Sequence, residues 1–258
     1  MREYMNELIK RKDLLFYLVQ SGLKAENRNS YLGYFWWLLD PLLNVVVYYF
    51  LVSFILGRGG ENFAVFLVIG LVSWRWMSTT VNTSSKSILK YSSIINQVYM
   101  PKSIFPLAFT LTQFANFGFG IIVIIVFLAV TGTVPGWQIV FLPMIILIQL
   151  LFLTMLSLFL AYFTVFVRDM DHLLTHVTRI LFYSSPIIWE GGRLGPELQW
   201  IVQINPIAIL INSQRNVLMY QEMPQFIGLG IIGLVSVIGI YGFLKYYSRN
   251  EYKIIKAL

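Results

Sequence analysis

The sequence predicts an all-α integral membrane protein. Six transmembrane helices are led by an amphipathic helix lying in the membrane interface, with a short cytoplasmic helix after the second span and extracellular re-entrant half-helices before the last. Three observations predict it. Hydrophobic residues make up 57% of the 258, charged residues only 12%, and the mean hydropathy is +0.70, more apolar surface than a soluble domain can hide. Six apolar stretches come near the ~20 residues that cross ~30 Å of hydrocarbon. The basic residues are also distributed very unevenly between the two sides those stretches define.

The expected spans lie near 34–56, 63–83, 104–130, 139–166, 172–189 and 226–244. With six spans, both ends share one side. That side holds fourteen Lys and Arg against three (Arg58, Arg193 and Arg215) on the other, so the positive-inside rule puts both termini in the cytoplasm. The remaining two, Arg75 and Arg179, fall within spans.

Ahead of the first span, Met5, Leu8, Ile9 and then Leu15, Leu18, Val19 recur at helical spacing around Lys10, Arg11 and Lys12. This predicts an interfacial helix over 1–30. Acidic residues among the basic ones, and no small-residue cleavage site, argue against a signal peptide. The loop 84–103 is too polar to span but keeps Ile88, Tyr91, Ile95 and Tyr99 near helical spacing, which predicts a short cytoplasmic helix. Over 190–225 the apolar middle is divided by Asn205 and Pro206 into pieces too short to cross. A break of that kind belongs where backbone is buried in protein or faces a wet cavity. With no soluble domain or repeat, 1–258 reads as one domain.

Enzymatic readings find little support. His172 and His176 are the only histidines, spaced four apart with Asp169 and Asp171 just before them, but HLLTH lacks the general-base Glu of the metalloprotease pattern and no third ligand is evident. No metal or catalytic residue is assigned, and Asp169 or Asp171 reads as a helix cap. There is no G-x-S-x-G elbow, and GRGGEN lacks the Lys-Ser/Thr of a phosphate loop, so the chain does not bind ATP in that way, and energy for work against a gradient must come from a partner subunit or an ion gradient. Ion-gradient coupling calls for acids at mid-membrane, and Asp40 is the only one well inside a span.

Four segments together resemble one family. NRNSYLGYFWWLLDP, ending at Pro41, MPKSIFPL (100–107), VRDMDHLLTHVTRILFYSSPIIW (167–189) and NPIAILINSQRNVL (205–218) are similar, in order, to motifs of type-2 ABC exporter permeases for O-antigen and teichoic acid. They are closest to those of the wall teichoic acid permeases. The resemblance implies a homodimer of this chain with two copies of an ATP-binding subunit. The cargo would be an undecaprenyl-pyrophosphate-linked polymer, wall teichoic acid favoured and O-antigen the alternative. A membrane scaffold or polymerase subunit of the same pathway is the reading from another class. The loop 84–103 would then be the coupling helix on the ATPase, through Lys86, Tyr91, Ile95, Tyr99 and Lys102. The interfacial helix would pack beside it, and the re-entrant pair would cap the exit. No nucleic acid is implied.

A charged side chain near the bilayer centre costs about 2.5–3.5 kcal/mol on insertion scales and calls for a partner or a wet cavity. Arg75, flanked by Trp74 and Trp76, should lie in the inner half of its span, as should Arg179 and Asp40. Either arginine can pair with Asp40, and one cation is left over. A guanidinium suits phosphate through bidentate hydrogen bonds, which makes Arg75 a candidate phosphate contact on an export path. Sugar C–H faces stack on aromatic rings, and Trp36, Trp37, Tyr48, Tyr49, Trp74, Trp76, Phe182 and Tyr183 are candidates. Trp74 and Trp76 point about 200° apart on a helix, so only one of the two is expected to line the path.

Overall fold

A computed structural model describes residues 2–27, 31–57, 60, 62–95, 100–167, 169–193, 195, 197 and 199–258, and every regular element among them is helical. Helices α1 (Arg2–Lys10) and α2 (Lys12–Asn27) come first. α3 (Trp36–Tyr49) widens into a π turn at Phe50–Ile55. α4 (Phe63–Ser85) leads into the one-turn helices α5 (Ser87–Lys90) and α6 (Ser92–Ile95). There follow α7 (Ile104–Thr131), α8 (Leu142–Phe166), α9 (Met170–Ser184), α10 (Gln199–Ile204), α11 (Pro206–Arg215) and α12 (Phe226–Ala257).

Five helical segments have the length and apolar composition to cross a bilayer: Trp36–Ile55, Phe63–Ser85, Ile104–Thr131, Trp137–Phe166 and Phe226–Ala257. α4 is the enclosed one. Its apolar window is 72% buried against 17–28% for the other four, so their uncovered faces suit lipid or a neighbouring subunit, while α4 forms the axis of the bundle. The expected crossing over 172–189 differs. α9 has 15 residues, about 22 Å at 1.5 Å per residue, and it stops because Ser185 precedes Pro186 and is held extended (φ −96°, ψ 150°).

Local chemistry sets the other boundaries. α7 ends where Gly132 takes φ +69° and the Thr133 N–H donates to the Leu128 carbonyl, a left-handed close that glycine enters without Cβ strain. α11 starts on Asn205, whose Oδ1 accepts from the Ile207 N–H at 3.0 Å, with Pro206 at the first helical position. It packs against α4, α8 and α12, and α10 folds back upon it.

Two cores divide the bundle. One, around Leu67, Ile69, Ile145, Leu153, Ile187 and Leu210, fills the end carrying α10 and α11. The basal core joins α1 and α2 to the 84–103 segment and the far end of α12 through Tyr4, Ile88, Ile95, Phe105, Tyr247 and Ile254. Polar pins hold the basal core. The Tyr4 hydroxyl lies 2.9 Å from Ser103 Oγ, the Lys102 N–H donates to Glu251 Oε1 at 3.0 Å, and the Tyr247 hydroxyl donates to the Leu158 carbonyl at 3.0 Å.

Candidate functional site

One face of each of α3, α4 and α9 opens onto a shared groove of about 440 Å³. Helical periodicity selects its lining: Pro41, Asn44 and Tyr48 from α3, then Leu71, Trp74, Arg75, Ser78 and Asn82 from α4. α9 adds Thr175, Thr178, Arg179 and Phe182. The lining recurs every three to four residues along each helix, and the adjacent pairs Trp74–Arg75, Ser78–Thr79, Thr178–Arg179 and Phe182–Tyr183 span the width of the face.

Charge enters this groove through Arg75 and Arg179. Arg75 Nη2 donates to Asp40 Oδ2 at 2.7 Å, and the two side chains are 37% and 40% exposed. The pair neutralises itself in a partly wet setting, the outcome expected of intramembrane charges. Arg179 lines the same groove, is exposed, and has no carboxylate within ion-pair distance among the described residues. The uncompensated cation is therefore Arg179, with Arg75 held by Asp40.

The polar lining is already served by its own helices. Thr79 and Thr178 hydroxyls donate to the carbonyls of Arg75 and Leu174 at 2.7 and 2.8 Å, and the Asn44 and Asn82 amides donate to Asp40 and Ser78 carbonyls at 2.8 Å. Hydroxyl lone pairs remain free to accept from a passing ligand. Such a surface offers many weak contacts and few strong ones.

Rings line the groove as well. Phe182 lies 5.4 Å from Tyr48, 5.8 Å from Trp74 and 5.1 Å from Tyr183, centroid to centroid. Trp76 points the other way, is 2% exposed and stacks on Phe117 at 4.2 Å, and Trp37 packs on Phe119. Trp36 is partly exposed on α3 without lining the groove, and Tyr49 turns toward Phe63. Of the flanking pair, only Trp74 meets the groove.

Beyond α4 the chain turns through α5 and α6, and Lys86 Nζ lies 2.6 Å from Asp171 Oδ1 in the first turn of α9. Asp169 holds the N-cap position without a side-chain hydrogen bond to the helix. Tyr91 stacks on Phe105 at 5.1 Å. Ile95 and Lys102 are buried in the basal core, so they cannot offer a partner the surface expected of them. Burial pushes the Lys102 ammonium pKa down against the opposing pull of Glu251. An apolar stripe at helical spacing has packed on its own protein, and Leu89, Lys90 and Ile94 face outward instead. Tyr99 lies outside the described residues.

Sequence reasoning counted Arg215 among the three outer-side cations, within the re-entrant stretch, and gave it no partner. It is 1% exposed. Nη2 donates to the carbonyls of Phe66 at 3.0 Å and Ile187 at 2.7 Å, Nη1 donates to Pro186 at 2.5 Å, and the guanidinium lies 3.4 Å from the Phe66 ring centroid. Beside it, Ser73 donates to Gln214 Oε1, and Gln214 Nε2 donates to Gln149 Oε1 at 2.6 Å. Together these tie α11 to α4, α8 and the segment after α9. The only signal in the sequence was the polar run Asn-Ser-Gln-Arg closing an apolar helix, where unmet donors must find acceptors.

Residues 13–219 match the family model described as ABC-2 type transporter. An O-antigen export system permease protein RfbA of Myxococcus xanthus is 29% identical over 250 residues, 96% of either chain. One of the same name from Klebsiella pneumoniae is 30% identical over 240 residues, 91% of this chain and 93% of that one.

Proposed function

This chain belongs to the ABC-2 type transporter family, and from that membership we propose that it is the permease of an ATP-driven exporter of lipid-linked cell-surface polysaccharide. Two copies of the chain would act with two copies of a separate ATP-binding subunit, which holds the ATP and Mg. The chain would sit in the bacterial cytoplasmic membrane with both termini in the cytoplasm. Residues 1–30 would lie in the interface, 84–103 would couple to the ATPase, and 190–225 would cap the exit.

The observation that carries this reading is the groove, with its aromatic residues, its hydroxyls and amides, and one guanidinium that has no acid partner among the described residues. Rings let sugars slide by stacking, and weak polar contacts hold a chain without trapping it. Arg179 supplies a contact for phosphate, either the pyrophosphate of an undecaprenyl carrier or the backbone of an anionic polymer. A phosphodiester backbone would offer Arg179 phosphate along its whole length, which suits wall teichoic acid as cargo. The names of the relatives favour O-antigen, which shares the carrier chemistry.

The test is ATP-driven export in vesicles containing the chain and its ATP-binding subunit, with teichoic acid and uncharged O-antigen offered on the same carrier. Export of either supports the polysaccharide reading, and preference for teichoic acid supports the finer one. Association with an ATPase whose activity neither polymer stimulates would contradict it.

A further inference from the structure

A second cavity, sharing no residue with the groove, lies at the basal end between α2, the α5–α6 turn and α7. It encloses about 350 Å³, at the small end of volumes that hold a ligand. Ser21 and Ala25 of α2 leave the space open, while Gly22 seats the helix so closely that an added Cβ would come within 3.0 Å of Thr112 Oγ1. Across it, the Tyr91 ring is fixed by stacking on Phe105 and lies edge-on to Phe109, 6.2 Å centroid to centroid. Lys90 leans over the Phe109 ring at 5.2 Å. It is exposed and has no carboxylate within ion-pair distance among the described residues.

This combination fits an anion with an apolar tail. The ammonium of Lys90 is a point charge suited to phosphate, and the Ser21 hydroxyl can donate beside it, while the Thr112 hydroxyl donates to the Ala108 carbonyl at 2.9 Å. Phe109 and Leu18 give apolar wall. The cavity also lies at the right depth, because α2 has the pattern of a helix in the headgroup layer and carries exposed Lys12 and Lys24 that attract anionic lipid. We infer that this cavity binds the phosphate headgroup of a lipid in the inner leaflet, clamped between α2 and Lys90. The phosphate can come from an anionic phospholipid or from a polyprenyl pyrophosphate. Bound lipid would stiffen the contact between α2 and the 84–103 segment. The binding itself requires only that the chain sit in a membrane, so it stands or falls apart from the proposed cargo.

Native mass spectrometry of the full chain in detergent reads the binding directly. The probes are dioctanoyl-phosphatidylglycerol, dioctanoyl-phosphatidylcholine and farnesyl pyrophosphate, and the variants are Lys90→Gln, Ala25→Trp to fill the cavity, and Lys10→Gln as a distant control. One saturable phosphatidylglycerol adduct is expected, retained by Lys10→Gln and weakened at least tenfold by Lys90→Gln and by Ala25→Trp. If farnesyl pyrophosphate alone binds in this Lys90-dependent way, the source is the polyprenyl lipid; if it displaces phosphatidylglycerol, the site accepts both. Equal binding of all three probes, or adducts that neither Lys90→Gln nor Ala25→Trp weakens, would overturn the site.

Discussion

Lys86 and Asp171 meet at 2.6 Å, fastening the turn at the basal end of α4 to the first turn of α9. Both helices line the groove. A push on the 84–103 segment therefore reaches two of its walls together, through one contact outside the cavity.

That contact is half exposed (50% and 40%), so its share of stability is small, about 1 kcal/mol or less. Lys86→Ala and Asp171→Ala should leave the unfolding temperature within a few degrees of native while lowering the ratio of polymer exported to ATP hydrolysed. The exchange Lys86→Asp with Asp171→Lys should restore that ratio. Vesicles scored for both quantities check it, and a ratio unchanged in the single variants would remove the strut from the account.

Asp40 neutralises Arg75 and leaves Arg179 over. Asp40→Asn should therefore add a second free cation to the groove. An anionic polymer should then half-saturate ATPase stimulation at a severalfold lower concentration, and added salt should erase the gain. Arg75→Gln, which frees the carboxylate instead, should act in the opposite direction. An uncharged polymer should respond to neither change beyond its carrier's own phosphate.

Arg215 is held by carbonyls from two separate segments. Arg215→Met removes the donors of the buried Pro186, Phe66 and Ile187 carbonyls and should lower stability by about 1–3 kcal/mol for each acceptor left unsatisfied. Gly70→Ala should be comparably disruptive, because its Cβ would collide with Arg215 Nη2 and sit 2.7 Å from the Ile187 carbonyl. Thermal unfolding in detergent, followed by tryptophan fluorescence, measures both. Ile209→Val, which only trims the same helix, should cost far less, about 1 kcal/mol.

The basal core predicts an alkaline sensitivity. Burial raises the Tyr4 phenol pKa above its ordinary 10.0, with the Ser103 hydrogen bond pulling the other way. A raised folded-state pKa means that the unfolded chain ionises first. Tyr4 thus contributes stability that is complete below pH 10.0 and is lost as the pH climbs from there toward the folded value. Lys102, depressed from 10.5, changes stability in the opposite sense just below that pH. The difference between native and Tyr4→Phe, which should narrow the alkaline loss, isolates the phenol. Parallel curves from pH 9 to 11.5 would refute it.

Charges inside apolar runs were the most legible feature of the sequence. Asp40, Arg75 and Arg179 stood out because hydrocarbon penalises them, and the fold gathers all three around one groove on α3, α4 and α9. The division of labour between the two arginines was not legible, because pairing depends on which turn of α9 faces α3. The partners of Arg215 escaped notice because they are backbone carbonyls that any residue supplies, 28, 29 and 149 positions away. The stripe Ile88, Tyr91, Ile95 was periodic as expected but packs inward, since periodicity marks a face and does not say what covers it. The fifth apolar stretch stopped short at Ser185, where proline geometry overrode hydropathy.

The most direct single measurement is polymer-stimulated ATPase and export in vesicles, native chain against Arg179→Gln and Arg179→Lys. Arg179 is exposed, so folding and basal ATPase should persist. A charged hydrogen bond worth about 1.5–3 kcal/mol sets the expected loss of cargo stimulation at tenfold or more for the glutamine variant, with partial rescue by lysine. Export and stimulation unchanged in Arg179→Gln would contradict the groove as the cargo path.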